Sequence, residues 1–167
     1  GGTSSARLTA PIVAVAAILS PLLKEIGVEI EGHVSSIGNI TARDIQLCPQ
    51  DWSDENCINM RCKDPIAAKS MTEYLTTLRT ELDSVGSKVE LCITGLPLGL
   101  GEPWFDGVEP ALARAMMSIP AARGVEFGRG FNVVQMLGSQ HNDAWGGTAA
   151  EPKLKGQSPD GAIAGLA

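Results

Sequence analysis

GLPLGLGEPWFDGVEPALARAMMSIPAARGVEFGRG, residues 95–130, is the stretch on which the reading of this 167-residue chain turns. It compresses a glycine/proline loop, a short helix and the start of a strand into one segment. Gly95, Gly99 and Gly101 let the backbone turn tightly, Pro97 and Pro103 stiffen it, and Asp106-Gly107 opens a helix running through Leu112 and Met116 to about Ser118. Such a loop brings backbone N–H groups close to a ligand where side chains would block the approach. Its glycine spacing matches neither the Walker loop nor the Rossmann fingerprint.

Working outward, Lys88–Thr94 (KVELCIT) reads as a second strand. Before it, Asp64-Pro65 signals a helix start, with Asp as N-cap and Pro in the first turn. Ile66, Met71, Tyr74, Leu75, Leu78 and Leu82 form the apolar face of that helix, and Gly86 is its predicted stop. Residues 39–63 show no clean period: 48–51 read as a turn and Asp51–Asn59 as a polar loop. Val28, Ile30, Gly32 and Val34 alternate with Glu29, Glu31 and His33, which predicts a strand with His33 on its solvent side. Ser4 and Ser5 are N-cap candidates for a helix reaching Ile26 and ended by Gly27, with Pro11 kinking it or delaying its start. Downstream, Gly124–Val134 reads as a third strand. Residues 139–167, rich in Gly and Ala, read as irregular. The order helix, strand, helix, strand, helix, strand implies an α/β or α+β layer arrangement.

The composition is globular, with 44% hydrophobic and 19% charged residues. A net charge of −6 argues against a general nucleic-acid binder or a binder of anionic membranes, because both need a basic face; a local anion site stays open. Cys48, Cys57, Cys62 and Cys92 contain no CxxC pair and adjoin no His pair, so no zinc site is indicated. Reduced thiols of a cytoplasmic protein are the reading, with a disulfide inside Cys48–Cys62 as the alternative. The apolar run Pro11–Leu23 falls short of the roughly 20 residues a bilayer span needs, and no basic segment precedes it as in a signal peptide. The Gly-Gly start without Met reads as a tag remnant or as a piece of a longer protein.

Four segments could carry chemistry. Thr3-Ser4-Ser5-Ala6-Arg7 offers hydroxyls, N–H groups and a guanidinium at a helix start, either to hold a phosphate or as an ordinary cap with a surface Arg. The 95–104 loop is a ligand cradle or a structural turn. In Met116–Arg123, a small-residue turn could lie flat on a planar ring, while the two Met would fill core space. Ser139-Gln140-His141-Asn142-Asp143 sets a His beside amides and a carboxylate. No nucleophile motif accompanies it, so local loop hydrogen bonding is the simpler reading.

TSSARLTA (3–10), DSVGS (83–87), GLPLGLGEPWFD (95–106), AMMSIPAARGVEFGRGF (115–131) and GSQHND (138–143) together resemble chorismate synthase, in order and at sensible spacing. The resemblance covers essentially the whole chain, although family members are about twice as long. It implies an α+β fold: part of a β-α-β sandwich with helices packed between antiparallel sheets, in which 1–138 is the central part of one domain and 139–167 leads on towards a C-terminal part. It also implies a cytoplasmic homotetrameric lyase of the shikimate pathway, associated with NADP. Such enzymes remove phosphate from 5-enolpyruvylshikimate 3-phosphate by 1,4-anti elimination, giving chorismate and requiring reduced FMN.

Carried over by position, Thr3, Ser4 and Ser5 match flavin-contacting residues, Pro120 and Ala121 a second flavin-contacting pair, and Ala164 a flavin-contacting glycine. Gly99, Gly101 and Glu102 shape the pocket. The resemblance assigns no catalytic residue and no metal ligand, since the family's acid/base histidines align with neither His33 nor His141. Thr3 replaces a family Arg, Leu8 a Glu and Ser87 a Gly, and Pro11 enters a helix normally rich in Ala and Arg. These departures define the alternative, a non-catalytic degenerate homologue serving as scaffold or subunit partner.

Overall fold

A computed structural model describes residues 2–49, 51–52, 54–97, 99–142 and 144–154. In chain order it forms α1 (Thr9–Glu25), β1 (Glu29–Ile37), β2 (Ile40–Thr41), α2 (Glu55–Met60), α3 (Pro65–Thr80), β3 (Ser87–Thr94), α4 (Val108–Met117), β4 (Trp145–Thr148) and β5 (Glu151–Leu154). Short 3-10 turns precede α1 and lie at Ile45–Leu47, Trp104–Asp106 and Gly130–Gln135. The class is α+β with antiparallel sheets. The contacts divide into two compact units, one of Leu22–Gly95 and one of the residues on either side.

Within Leu22–Gly95, β1 is central in an antiparallel sheet of order β2-β1-β3. Its register pairs Glu29 with Thr94 and Val34 with Val89; Ser35 is then bulged out, so that Ser36 faces Lys88. The core joins Ile37, Cys57, Cys62, Ala67, Ala68 and Met71, with Tyr74, Leu75 and Val85 against it. The Asp64 cap is as expected: its Oδ1 accepts the Ile66 and Ala67 N–H groups at 3.1 and 3.4 Å. The helix stops earlier than Gly86, however. Glu81 closes it, and Leu82 takes a left-handed φ of 58° with its side chain 94% exposed. Ile66 is likewise outside the buried face. The expected loop over 51–59 contains α2, because the Asp54 side chain caps the Cys57 N–H at 2.8 Å; a helix this short leaves no period to read.

The alternation of β1 is real, but its faces are reversed around the strand's middle. His33 is 2% exposed, while Ile30 on the opposite face is 54% exposed. The polar face is covered by the Ile45–Leu47 turn and by the Arg61–Asp64 connection, both of which hydrogen-bond into it. Cys48, Cys57 and Cys62 are buried and Cys92 half-buried, all as thiols.

The boundary between the units falls inside α1, after Pro21, and α1 buries none of its side chains. The helical stretch Ala6–Glu25 has 20 residues, and an 18-residue window within it has a mean hydropathy of 1.8. By length and composition it is therefore long enough to cross a membrane, which corrects the count based on Pro11–Leu23; core helices of soluble proteins pass the same test. Gly124–Val134 is not a strand. Gly128 and Gly130 have φ of 55° and 53°, incompatible with an extended chain, and the backbone coils into the Gly130–Gln135 turn. Conversely, part of the stretch read as irregular is a hairpin, with Trp145 paired to Leu154 and Thr148 to Glu151.

Candidate functional site

The first group of expected site residues lies in two 3-10 turns ahead of α1, Gly2–Ser4 and Ala6–Leu8. Thr3 and Ser4 are exposed and Ser5 half-buried. Ser5 is extended (φ −83°, ψ 136°), and its Oγ accepts the Arg7 N–H at 3.4 Å. Its hydroxyl proton remains available to donate. No carboxylate among the described residues pairs with the Arg7 guanidinium. Two serine hydroxyls beside an unengaged cation at the start of a helix suit a phosphate group.

The second group follows α4. Ser118 ends that helix, its N–H and Oγ both donating to the Ala115 carbonyl, at 3.2 and 2.6 Å. The Ala122 N–H then donates to the Ile119 carbonyl at 3.1 Å. This closes a four-residue turn with Pro120 second and Ala121 third, and Ala121 has φ 68°. That is the plan of a type II turn, in which the third position favours glycine. Alanine there costs about 1–2 kcal/mol. The turn is exposed and apolar, flanked by exposed Met117 and Ile119, and can present a flat surface to a planar ring. Met117 therefore does not fill core space; Met116 is half-buried. In the 95–107 loop, Gly99 and Gly101 have φ of 78° and 106°, and Glu102 is exposed.

Thr3, Ser4, Ser5, Pro120 and Ala121 fall in the same unit. No hydrogen bond among the described residues joins the two groups. Ala164 and Asp143 lie outside the described residues. Around His141 the chain bonds to itself: the Leu137 N–H donates to Gln140 Oε1 at 2.9 Å, and the His141 N–H to the Leu137 carbonyl at 3.1 Å. That is the loop hydrogen bonding expected for the segment.

A polar network in the Leu22–Gly95 unit escapes sequence reasoning. His33 Nδ1 accepts the Lys63 N–H at 3.3 Å, so its proton sits on Nε2, which donates to Glu90 Oε2 at 2.9 Å. The same Glu90 oxygen accepts the Ile45 N–H at 3.1 Å. Lys63 Nζ, almost fully buried, donates to Glu31 Oε1 at 3.0 Å and lies 5.9 Å from the Trp52 ring centroid. Burial pushes the Cys48 and Cys62 thiols up, which keeps them protonated and unreactive. Beside this network Glu29, Glu31, Ile45, Gln46, Cys92 and Thr94 line a groove of about 240 Å³ that contains none of the expected flavin residues. The sequence places Glu31 and His33 on the polar side of β1 but gives no sign of what covers that side: strand register sets Glu90 opposite His33, and the Ile45 and Lys63 segments fold onto the pair.

The chain matches the family model described as chorismate synthase over residues 1–165. It is 41% identical over 166 residues to chorismate synthase of Methanosarcina acetivorans, covering 99% of this chain and 45% of that protein. With the Methanosarcina mazei chorismate synthase it shares 44% over 145 residues, 87% of this chain and 40% of the other. A crystal structure of chorismate synthase superposes with a TM-score of 0.78 at 28% identity, covering 97% of this chain and 52% of that one. The chain thus spans roughly half the length of the relatives it matches. On this match along nearly its whole length, the chain belongs to the chorismate synthase family.

Proposed function

We propose that this chain is the central part of a chorismate synthase, an FMN-dependent carbon–oxygen lyase. The reaction is the 1,4-anti elimination of phosphate from 5-enolpyruvylshikimate 3-phosphate to give chorismate, in a cytoplasmic homotetramer. The observation that carries this reading is the family match over residues 1–165. The described residues fit the cofactor: Ser4, Ser5 and Arg7 supply hydroxyl donors and a cation suited to a phosphate, and the exposed Pro120–Ala121 turn supplies a flat apolar surface suited to a ring. The chemistry a bound reduced flavin supplies is transient electron donation and assistance to proton removal. The residues of this chain bind and orient flavin and substrate and exclude water. Proton transfer at the substrate falls to histidines in the upstream part of the family's sequence, so the 167 residues alone are expected to be inactive.

The test is a graft of this chain in place of the matching segment of the Methanosarcina acetivorans relative, titrated anaerobically with reduced FMN. Saturable binding is expected, weakened about 10-fold or more when Ser4 and Ser5 are both changed to Ala, the scale set by loss of hydrogen bonds to a charged group. Equal binding by the double variant, or binding of inorganic phosphate without preference for the flavin, contradicts the reading.

A further inference from the structure

We propose that the Ala121 methyl group is the part of the Ile119–Ala122 turn that meets the flavin ring, and that the chain keeps a strained alanine there for this contact. The inference rests on the flavin reading of the site. Nine described glycines have positive φ, so this chain uses glycine where a left-handed backbone is required. Four described residues of other types share that conformation, and three of them start or end a helical element. Arg61 and Leu82 lie at the ends of α2 and α3, where the Cys62 N–H donates to the Cys57 carbonyl at 3.2 Å and the Asp83 N–H to the Leu78 carbonyl at 3.0 Å. Trp104 is the first residue of the Trp104–Asp106 turn. Ala121 ends no helix, because α4 has already closed at Ser118.

Pro120 sets the first corner of the turn and leaves the second to Ala121. Glycine would fit that second corner without strain, and it differs from alanine only by the methyl group. The methyl is exposed and therefore packs into no core among the described residues. Held in place by the closed turn, beside exposed Met117 and Ile119, it can lie against the face of a planar ring. A glycine would leave a gap at that point of the contact.

The test compares Ala121→Gly with the unaltered sequence in the Methanosarcina acetivorans graft. Urea unfolding is followed without flavin, and reduced FMN is titrated anaerobically. Stability and binding are expected to move in opposite directions. The urea midpoint rises, because relief of the left-handed strain exceeds the freedom that glycine adds to the unfolded chain. Binding weakens about 4-fold, the scale of one buried methyl-sized contact. Leu82→Gly is the control: Leu82 has φ 58°, is 94% exposed and lies outside the site, so the same relief should raise the midpoint and leave binding unaltered. A lower midpoint in Ala121→Gly would show that the methyl packs against protein. Unchanged or tighter binding would show that no ring rests on it. Either result overturns the proposal. Absence of saturable binding in the unaltered graft contradicts the flavin reading itself and removes the proposal with it.

Discussion

Gly95→Ala is expected to destabilise the chain by about 2–5 kcal/mol, although it adds a single methyl group. Two independent effects combine there. Gly95 sits at φ 76°, where an L side chain costs about 1–2 kcal/mol. A Cβ at this position would also overlap the Gly27 carbonyl oxygen and lie 2.8 Å from its carbon. The register explains the crowding: Glu29 opposes Thr94, so the chain entering β1 and the chain leaving β3 run side by side at Val28 and Gly95. The obstacle is backbone, which cannot rotate away as a side-chain tip can, and overpacking typically adds about 1–3 kcal/mol. Gly124→Ala is the control, since it has open space around its Cβ and no positive φ. Urea unfolding should show a large fall in midpoint for the first variant and almost none for the second. Equal midpoints would refute the close approach.

Asp64→Ala carries the other large effect, an expected loss of about 2–4 kcal/mol. One carboxylate holds two segments: Oδ1 caps α3, and Oδ2 accepts the Arg43 N–H and Nε–H at 3.1 and 3.0 Å. The estimate sits below that for a fully buried ion pair because the Arg43 side chain is half-exposed and partly screened. Burial pushes the carboxyl pKa up, but the bonds from Arg43, Ala67 and Ile66 outweigh it and hold the pKa below its ordinary value. With the folded value below an unfolded value of about 3.9, the stabilisation is fully present above about pH 4 and is lost as pH falls through the folded value. Asp64→Asn keeps a cap acceptor but cannot titrate. The difference in unfolding free energy between wild type and Asp64→Asn should therefore be constant at neutral pH and shrink as the solution becomes more acidic than pH 4. A difference independent of pH would rule out this role.

What the sequence made legible follows from the range of the forces involved. The Asp64-Pro65 cap, the strand at β3 and the glycine end of α1 are local signals, and all three stand in the structure, although Val89 and Leu91 of β3 face outward. Which face of β1 is wet is not local. His33 is buried because Ile45 and Lys63, 12 and 30 residues further on, fold over it. The strand expected over 124–134 had apolar residues at strand spacing, but two left-handed glycines broke it. The turn at Ile119–Ala122 was legible as a small-residue turn, yet its strain was not, because alanine at φ 68° follows from the closed geometry and not from residue type.

The central claim is that this chain performs the work of the matching segment in a chorismate synthase. The most direct measurement is turnover of 5-enolpyruvylshikimate 3-phosphate by the Methanosarcina acetivorans graft under reduced FMN, with chorismate followed as product. The account predicts chorismate formation by the graft and none by the 167-residue chain alone. A folded graft that produces no chorismate would contradict it and mark the chain as a degenerate, non-catalytic homologue.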